Sequence, residues 1–279
     1  MTCYKIVVAY DGTVYKGWQE QHNATTVCGT LVKAFQTVFF QEAKILGASR
    51  TDAGVHALGQ VAIVRCPIDI DPELLVQAWS KAIPFDISIR SIEKLDRLIH
   101  PHDGVVQKTY AYHVFFKRPL PLYQRFGWFV YKPIDLDLLQ KALNIFVGKH
   151  DFRSFCTGDD LVDTVRTIDS VKVTLVPSWD AYRIEIKGKS FLRYMVRRIV
   201  GACVTVAFSP DINLDDIRRV LAEKNPCHTL PNAPAKGLIL EQIDYKSNQI
   251  GCESNPIDYQ SDQKTNKSKG EALNEKTNY

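Results

Sequence analysis

The chain has 279 residues, 45% of them hydrophobic and 24% charged, which suffices for a real core in one large domain or two medium ones. A formal net charge of +4 is a mild excess that permits an anionic partner without demanding one. Seven cysteines (Cys3, Cys28, Cys66, Cys156, Cys203, Cys227 and Cys252) are odd in number, widely spaced and without a C-x-x-C pair, which argues against a disulfide framework or a zinc knuckle.

Buried free thiols in a reducing compartment are the expected state of these cysteines. The opening "MTCYKIVVAYDG" holds one lysine and an apolar run too short for a signal peptide. No window of the chain reads as a membrane span. A soluble, cytoplasmic protein is expected.

Lys5–Tyr10 alternates like a strand. Thr26–Phe40 places Leu31, Phe35, Val38 and Phe39 on one face of a helix. "KILGAS" reads as a strand end, and Gly54 offers a bend just after it. Gln60–Cys66 is rich in strand formers, Pro72–Ala82 suits a short helix with Pro near its start, and Ile87–Leu95 reads as a strand. Turn residues at His100–Val106 mark a boundary.

Beyond it, "VVQKTYAYHVFF" gives a strong strand signal and "FGWFVY" a shorter one. Ile134–Val147 has helical spacing, Val165–Val176 and Tyr182–Ile186 read as strands, and Phe191–Phe208 and Leu214–Ala222 as helices, the last capped by Asn213. "GLILEQIDY" closes the folded part with a strand. From Asn248 onward the text is polar and aperiodic, which predicts a disordered tail. The pattern as a whole predicts an α+β fold with a mainly antiparallel sheet.

Four features carry candidate chemistry. In "GASRTDAGVHALGQ" an extended backbone would put Arg50 and Asp52 on one side, where the guanidinium would lower the carboxylate's pKa. An ionised Asp in a pocket is a nucleophile toward carbon, whereas the bland alternative is a turn hydrogen-bonded by Thr51 or Asp52. In "KTYAYHVFF", Lys108, Tyr110, Tyr112, Val114 and Phe116 share a strand face, and a tyrosine there suits stacking on a flipped base or simple cross-strand packing. Alternation does not choose between Tyr110 and Tyr112.

In "GKSFLRYMVRRIVGACVTVAF", helical spacing aligns Phe191, Met195, Ile199, Cys203 and Ala207 in an apolar row. It also aligns Arg193 with Arg197, and Arg198 lies beside them. Like charges at this spacing repel by a few tenths of a kcal/mol, which calls for an acidic partner. Fourth, the basic and aromatic interleaving of "KRPLPLYQRFGWFVYK" suits contact with RNA, although much of it must also be core. The histidines assemble into no metal site, and no phosphate-binding or dinucleotide glycine fingerprint occurs, so neither metal nor cofactor is expected.

Together "YDGTVYKGWQEQ", "GASRTDAGVHALGQVA", "KTYAYHV", "GKHDFRSFC" with "TVRTI", "GKSFLRYMVRRIVG" and "PAKGLIL" resemble the tRNA pseudouridine synthase A family, over nearly the whole folded part. The resemblance implies two ferredoxin-like halves related by a pseudo-twofold, joined in one extended mainly antiparallel sheet with flanking helices and a central cleft. The halves would be residues 1–103 and 104–246, followed by the tail 247–279. It implies a homodimer that isomerises uridine to pseudouridine at positions 38, 39 and 40 of the tRNA anticodon stem-loop.

The same resemblance makes Asp52 the essential nucleophile and Arg197 its partner. Tyr110 is implied as the residue that stacks on the base and as a candidate for proton transfer. Arg50 would help extrude the nucleotide, and Leu238 would form an apolar wall. Arg193 and Arg198 are left as phosphate candidates. The chain departs from the family pattern at Ser49, Cys28 and Tyr194. The rival readings are an RNA-binding ferredoxin-like module without catalysis and a glycosidic hydrolase, which would need a second carboxylate that does not stand out.

Overall fold

The computed structural model describes residues 1–158, 162–228 and 231–246. Its first half runs β1 (Thr2–Tyr10), α1 (Val27–Phe39), β2 (Lys44–Gly47), β3 (His56–Cys66), α2 (Pro72–Ser80) and β4 (Ile87–Leu95). β4 pairs with β1, β1 with β3 and β3 with β2, all antiparallel, so the spatial order is 4-1-3-2. That order and the βαββαβ chain order make this half ferredoxin-like.

The second half repeats the plan. It runs β5 (Val105–Phe115), a two-residue β6 (Trp128–Phe129), α3 (Leu136–Asn144), β7 (Gly148–Asp151), β8 (Val165–Val176) and β9 (Ala181–Gly188), then α4 (Met195–Phe208), α5 (Leu214–Glu223) and β10 (Leu238–Tyr245). β10 pairs with β5, β5 with β9, β9 with β8 and β8 with β7, again antiparallel. β6 lies parallel to the end of β5.

Local signals set the element ends. The Thr26 hydroxyl accepts the Gly29 N–H at 3.2 Å and starts α1. The Asp71 carboxylate accepts the N–H groups of Glu73 and Leu74 ahead of α2, with Pro72 in the first turn. Asp135 accepts from Leu138, so α3 begins after it and is shorter than the periodicity of 134–147 predicts. Asn213 and Asp216 form a reciprocal capping box on α5. The expected helix over 191–208 begins only at Met195, because Tyr194 takes a left-handed backbone with φ of 64°. Phe191 and Arg193 therefore lie outside the helix, and the predicted i,i+4 repulsion between Arg193 and Arg197 does not arise there.

Apolar side chains lock the helices onto the sheet. Trp79 of α2 meets Phe35 of α1 edge-on at 5.1 Å, and its indole N–H donates to Leu31 O at 3.1 Å. In the second half, Phe146, Phe152 and Phe155 pack together, all fully buried. Cys3, Cys28, Cys66, Cys156 and Cys203 are buried free thiols, and Cys227 is an exposed one. No helix among the described residues is long and apolar enough to cross a membrane. The predicted tail, 247–279, lies outside the described residues.

The two halves join along a short parallel seam, with Ile239 opposite His56 and Leu240 opposite Ala57. Gly59 makes this approach possible, since a Cβ there would stand 2.2 Å from Glu241 O. Because that obstacle is backbone and not a flexible side chain, Gly59→Ala is expected to lower unfolding stability by about 1–3 kcal/mol, the usual cost of overpacking. Denaturant unfolding of the two proteins checks this.

Candidate active site

The segment between β2 and β3 carries Asp52, and it is held from several sides. Its backbone bonds run from Ala48 N to Val61 O (2.8 Å), from Trp18 N to Thr51 O (3.2 Å) and from Gly54 N to Tyr15 O (3.2 Å). The Gln60 side chain donates to Ser49 O and accepts from Ser49 N. The buried Tyr10 and Thr51 hydroxyls bond each other at 2.7 Å. Gly17, at φ of 95°, lies so close that a Cβ would come within 2.5 Å of Thr51 O. The Asp52 carboxylate is thus presented by a backbone that has little freedom of its own.

Its partner comes from the other half. Arg197, in the first turn of α4, places Nη1 3.3 Å from Asp52 Oδ2. The same guanidinium donates from Nε to Ala233 O at 2.8 Å, and Arg197 O accepts from Ala233 N at 3.1 Å. Arg197 is therefore aimed by its own helix and by the chain leading into β10. The guanidiniums of Arg193 and Arg197 lie over the Tyr194 ring at 5.0 and 5.2 Å from its centre. The left-handed Tyr194 thus keeps Arg193 out of the helix while its ring is shared by both cations.

Burial pushes the Asp52 carboxyl above the ordinary carboxylate value, against the opposing pull of Arg197 and then Arg193. This corrects the expectation of a carboxylate held down by flanking arginines. Desolvation outweighs the paired charge here, and Arg50 contributes nothing resolved to Asp52. Arg50 is exposed, and its charge is felt instead at His102.

Tyr110 is buried, with its hydroxyl 2.9 Å from the Ser49 hydroxyl and its ring edge-on to Phe191 at 5.1 Å. Burial pushes its phenol up to about 12, the Ser49 bond opposing and the Asp52 charge adding. Tyr112, on the same strand face, donates to Pro234 O at 2.7 Å, which ties it to the segment before β10. The structure thereby separates two tyrosines that alternation left equivalent. Leu238 is buried opposite Tyr112 in the β10–β5 ladder.

Arg198 points away from this group. Its Nη1 donates to Cys156 O at 2.8 Å and Ser154 O at 3.4 Å, binding the 153–156 turn to α4. Three of the four cations of the 117–132 stretch also find internal partners: Lys117 pairs with Asp180, Arg125 with Asp11, and Lys132 lies over the Phe208 ring. Among the described residues no three His, Cys, Asp or Glu side chains gather at metal-binding spacing.

One buried group had no assigned role in the sequence. Lys108 is 7% exposed and donates to Ala48 O at 2.7 Å and to the Ser49 hydroxyl at 3.4 Å. Burial lowers its ammonium to about 8. Its signal was its place on the Tyr110 face two residues earlier. Tyr10 and Gln60 were also not singled out, because their function is to hold a loop distant in sequence.

The family model described as tRNA pseudouridine synthase matches residues 6–102 and 142–246 of this chain. The protein called tRNA pseudouridine synthase A of Thermodesulfovibrio yellowstonii is 33% identical over 257 residues, covering 88% of this chain and 100% of its own length. The tRNA pseudouridine synthase A 1 of Protochlamydia amoebophila is 36% identical, covering 90% of this chain and 99% of its own. The corresponding protein of Chlamydia pneumoniae is 34% identical, with 91% and 96% covered. With its strand order, its braced Asp52 loop and this similarity along almost all of the described residues, the chain belongs to the tRNA pseudouridine synthase family.

Proposed function

We propose that this enzyme converts uridine to pseudouridine in tRNA, at positions 38, 39 and 40 of the anticodon stem-loop, with Asp52 as the nucleophile. The observation that carries the reading is the single carboxylate on a braced loop, 3.3 Å from Arg197 and within the electrostatic reach of Tyr110. The reaction breaks the C1′–N1 bond and forms a C1′–C5 bond. N1 gains a proton and C5 loses one, so atoms and electrons balance without a redox partner. A carboxylate that first bonds the ribose or the base and then leaves splits this into two easier steps.

Each neighbour has a part in this proposal. Arg197 holds the carboxylate ionised and aimed. Tyr110 offers a ring for the base and, with its phenol pushed up to about 12, a neutral hydroxyl at physiological pH. Leu238 walls the pocket. Arg50, exposed and on the same loop, enters the stem-loop as the target nucleotide leaves it. Arg193 meets phosphate, whereas Arg198 is engaged by the carbonyls of Ser154 and Cys156 and serves the fold. A cytoplasmic homodimer with tRNA lying across both subunits completes the proposal, on the strength of family membership.

The reading is tested with an unmodified, folded tRNA transcript. Wild type is expected to form pseudouridine in the anticodon arm, and Asp52→Ala to lose turnover by on the order of 10⁴ while still binding RNA. Release of free uracil would indicate a hydrolase. Equal silence from both proteins would leave a binding module and overturn the reading.

Two predictions follow from the raised Asp52 carboxyl. Turnover needs the ionised form, so activity falls as pH drops through the folded-state value, which lies above that of a free carboxyl. Arg197→Gln removes the stronger of the two opposing charges and should move this acid limb to higher pH; an unmoved limb would mean that another group sets it. Ionising Asp52 costs more in the folded than in the unfolded chain, so the penalty is present above the folded value and absent below the unfolded one. Asp52→Asn is therefore expected to raise Tm at pH 7, with the gain shrinking as pH falls through that window, measured by thermal melts across pH.

A further inference from the structure

A second concave site lies at the junction of the two halves, outside the Asp52–Arg197–Tyr110 group. The linker 96–104 crosses between β4 and β5 and, with the ends of β9 and β10, encloses a cavity of about 510 Å³ lined by Arg97, His102, Asp103, Lys189 and Lys246. The linker is fixed there by Tyr245, whose hydroxyl donates to Pro101 O at 2.7 Å, and by Lys246 N, which donates to Gly104 O at 2.9 Å. Arg97, Lys189 and Lys246 form no ion pair with any described residue and are exposed. Asp103 is the one carboxylate of the lining, and it already accepts the His100 N–H at 3.2 Å. The wall therefore carries three permanent cations against one engaged carboxylate.

The cavity is linked to the catalytic loop. Lys189 follows directly on Gly188, which stands opposite Lys108 in the β5–β9 ladder. Lys108 in turn holds Ala48 O and the Ser49 hydroxyl, two to three residues before Thr51 and Asp52. His102 feels the charges of both Lys108 and Arg50. An anion in the cavity would thus lie beside His102, a group on which the charges of Lys108 and Arg50 both act.

We propose that the cavity lined by Arg97, His102, Lys189 and Lys246 is a phosphate subsite, which seats a backbone phosphodiester of the RNA strand flanking the target nucleotide. It rests on the proposed function for its ligand. Its role is positional: a phosphate fixed at the seam sets how far along the strand the neighbouring nucleotide can reach the Asp52 loop. An exposed cavity whose three cations face one already engaged carboxylate gains from exchanging counterions for such a phosphate.

His102 supplies a readout that needs no substitution. Burial lowers its imidazole, the charges of Lys108, His100 and Arg50 lower it further, and Asp103 opposes. A phosphate on the cavity wall must therefore raise it. In NMR titrations of the wild-type full chain, the His102 ring is expected to titrate at higher pH when a tRNA anticodon stem-loop is added. An effect of inorganic phosphate without one of the stem-loop would assign the site to a free anion and overturn the RNA assignment.

The second arm measures stem-loop affinity against salt. The double variant Lys189→Ala/Lys246→Ala should reduce the slope of log affinity on log salt by about 0.7–0.9, the loss of one phosphate contact. KM for tRNA should rise with it. Lys172→Ala, an exposed lysine of β8 away from the cavity, should leave the slope as in wild type. An unchanged slope in the double variant, with melting like that of wild type, would overturn the subsite. Both readouts report binding, so a wild-type protein that bound RNA in this way and formed no pseudouridine would overturn the catalytic reading and keep the subsite.

Discussion

The pairing of Asp52 with Arg197 depends on two chain segments that belong to different halves of the molecule. One partner hangs on the loop between β2 and β3 and the other on the first turn of α4. They meet at 3.3 Å only because β3 and β10 run side by side at the seam. Anything that shifts the halves changes the distance between a nucleophile candidate and the charge that keeps it ionised. The close approach at Gly59 and the loop bracing by Tyr10, Gln60 and Lys108 serve this one geometry.

The electrostatics of the pair are a balance that burial wins. Desolvation raises the carboxyl, and Arg197 and Arg193 only partly offset it. A group tuned for stability would be paired more completely or left in water. A raised but ionisable carboxylate is costlier to the fold and more reactive, a trade common at catalytic centres. Tyr194 adds to this arrangement, since its left-handed backbone starts α4 late and its ring lies beneath both guanidiniums.

Much of the fold was legible in the sequence because its signals are local. The strands Ile87–Leu95 and Val165–Val176 came out at their observed ends, and Asn213 marked the start of α5. Two errors have one cause. Periodicity ran the fourth helix back to Phe191, and it stacked Arg193 above Arg197, since a pattern of residue types cannot report that Tyr194 adopts a positive φ. β7 escaped notice as a strand because four residues, GKHD, carry little apolar pattern, and only its pairing with β8 defines it.

By itself the sequence determined the α+β class, most of the elements in order, and, through motifs that resemble one family, the residues worth watching: Asp52, Arg197 and Tyr110. The tertiary structure decided which of the candidate charges meet. Arg50 and Asp52 are two apart in sequence, yet Arg50 is exposed and adds nothing resolved to Asp52, whereas the carboxylate turns toward a residue 145 positions away. Arg198 adjoins Arg197 and is given over to the carbonyls of Ser154 and Cys156. The physical reason is that burial and distance fix a charge's partner and its pKa, and both are set by the packing of the two halves against each other, which no local stretch of sequence contains.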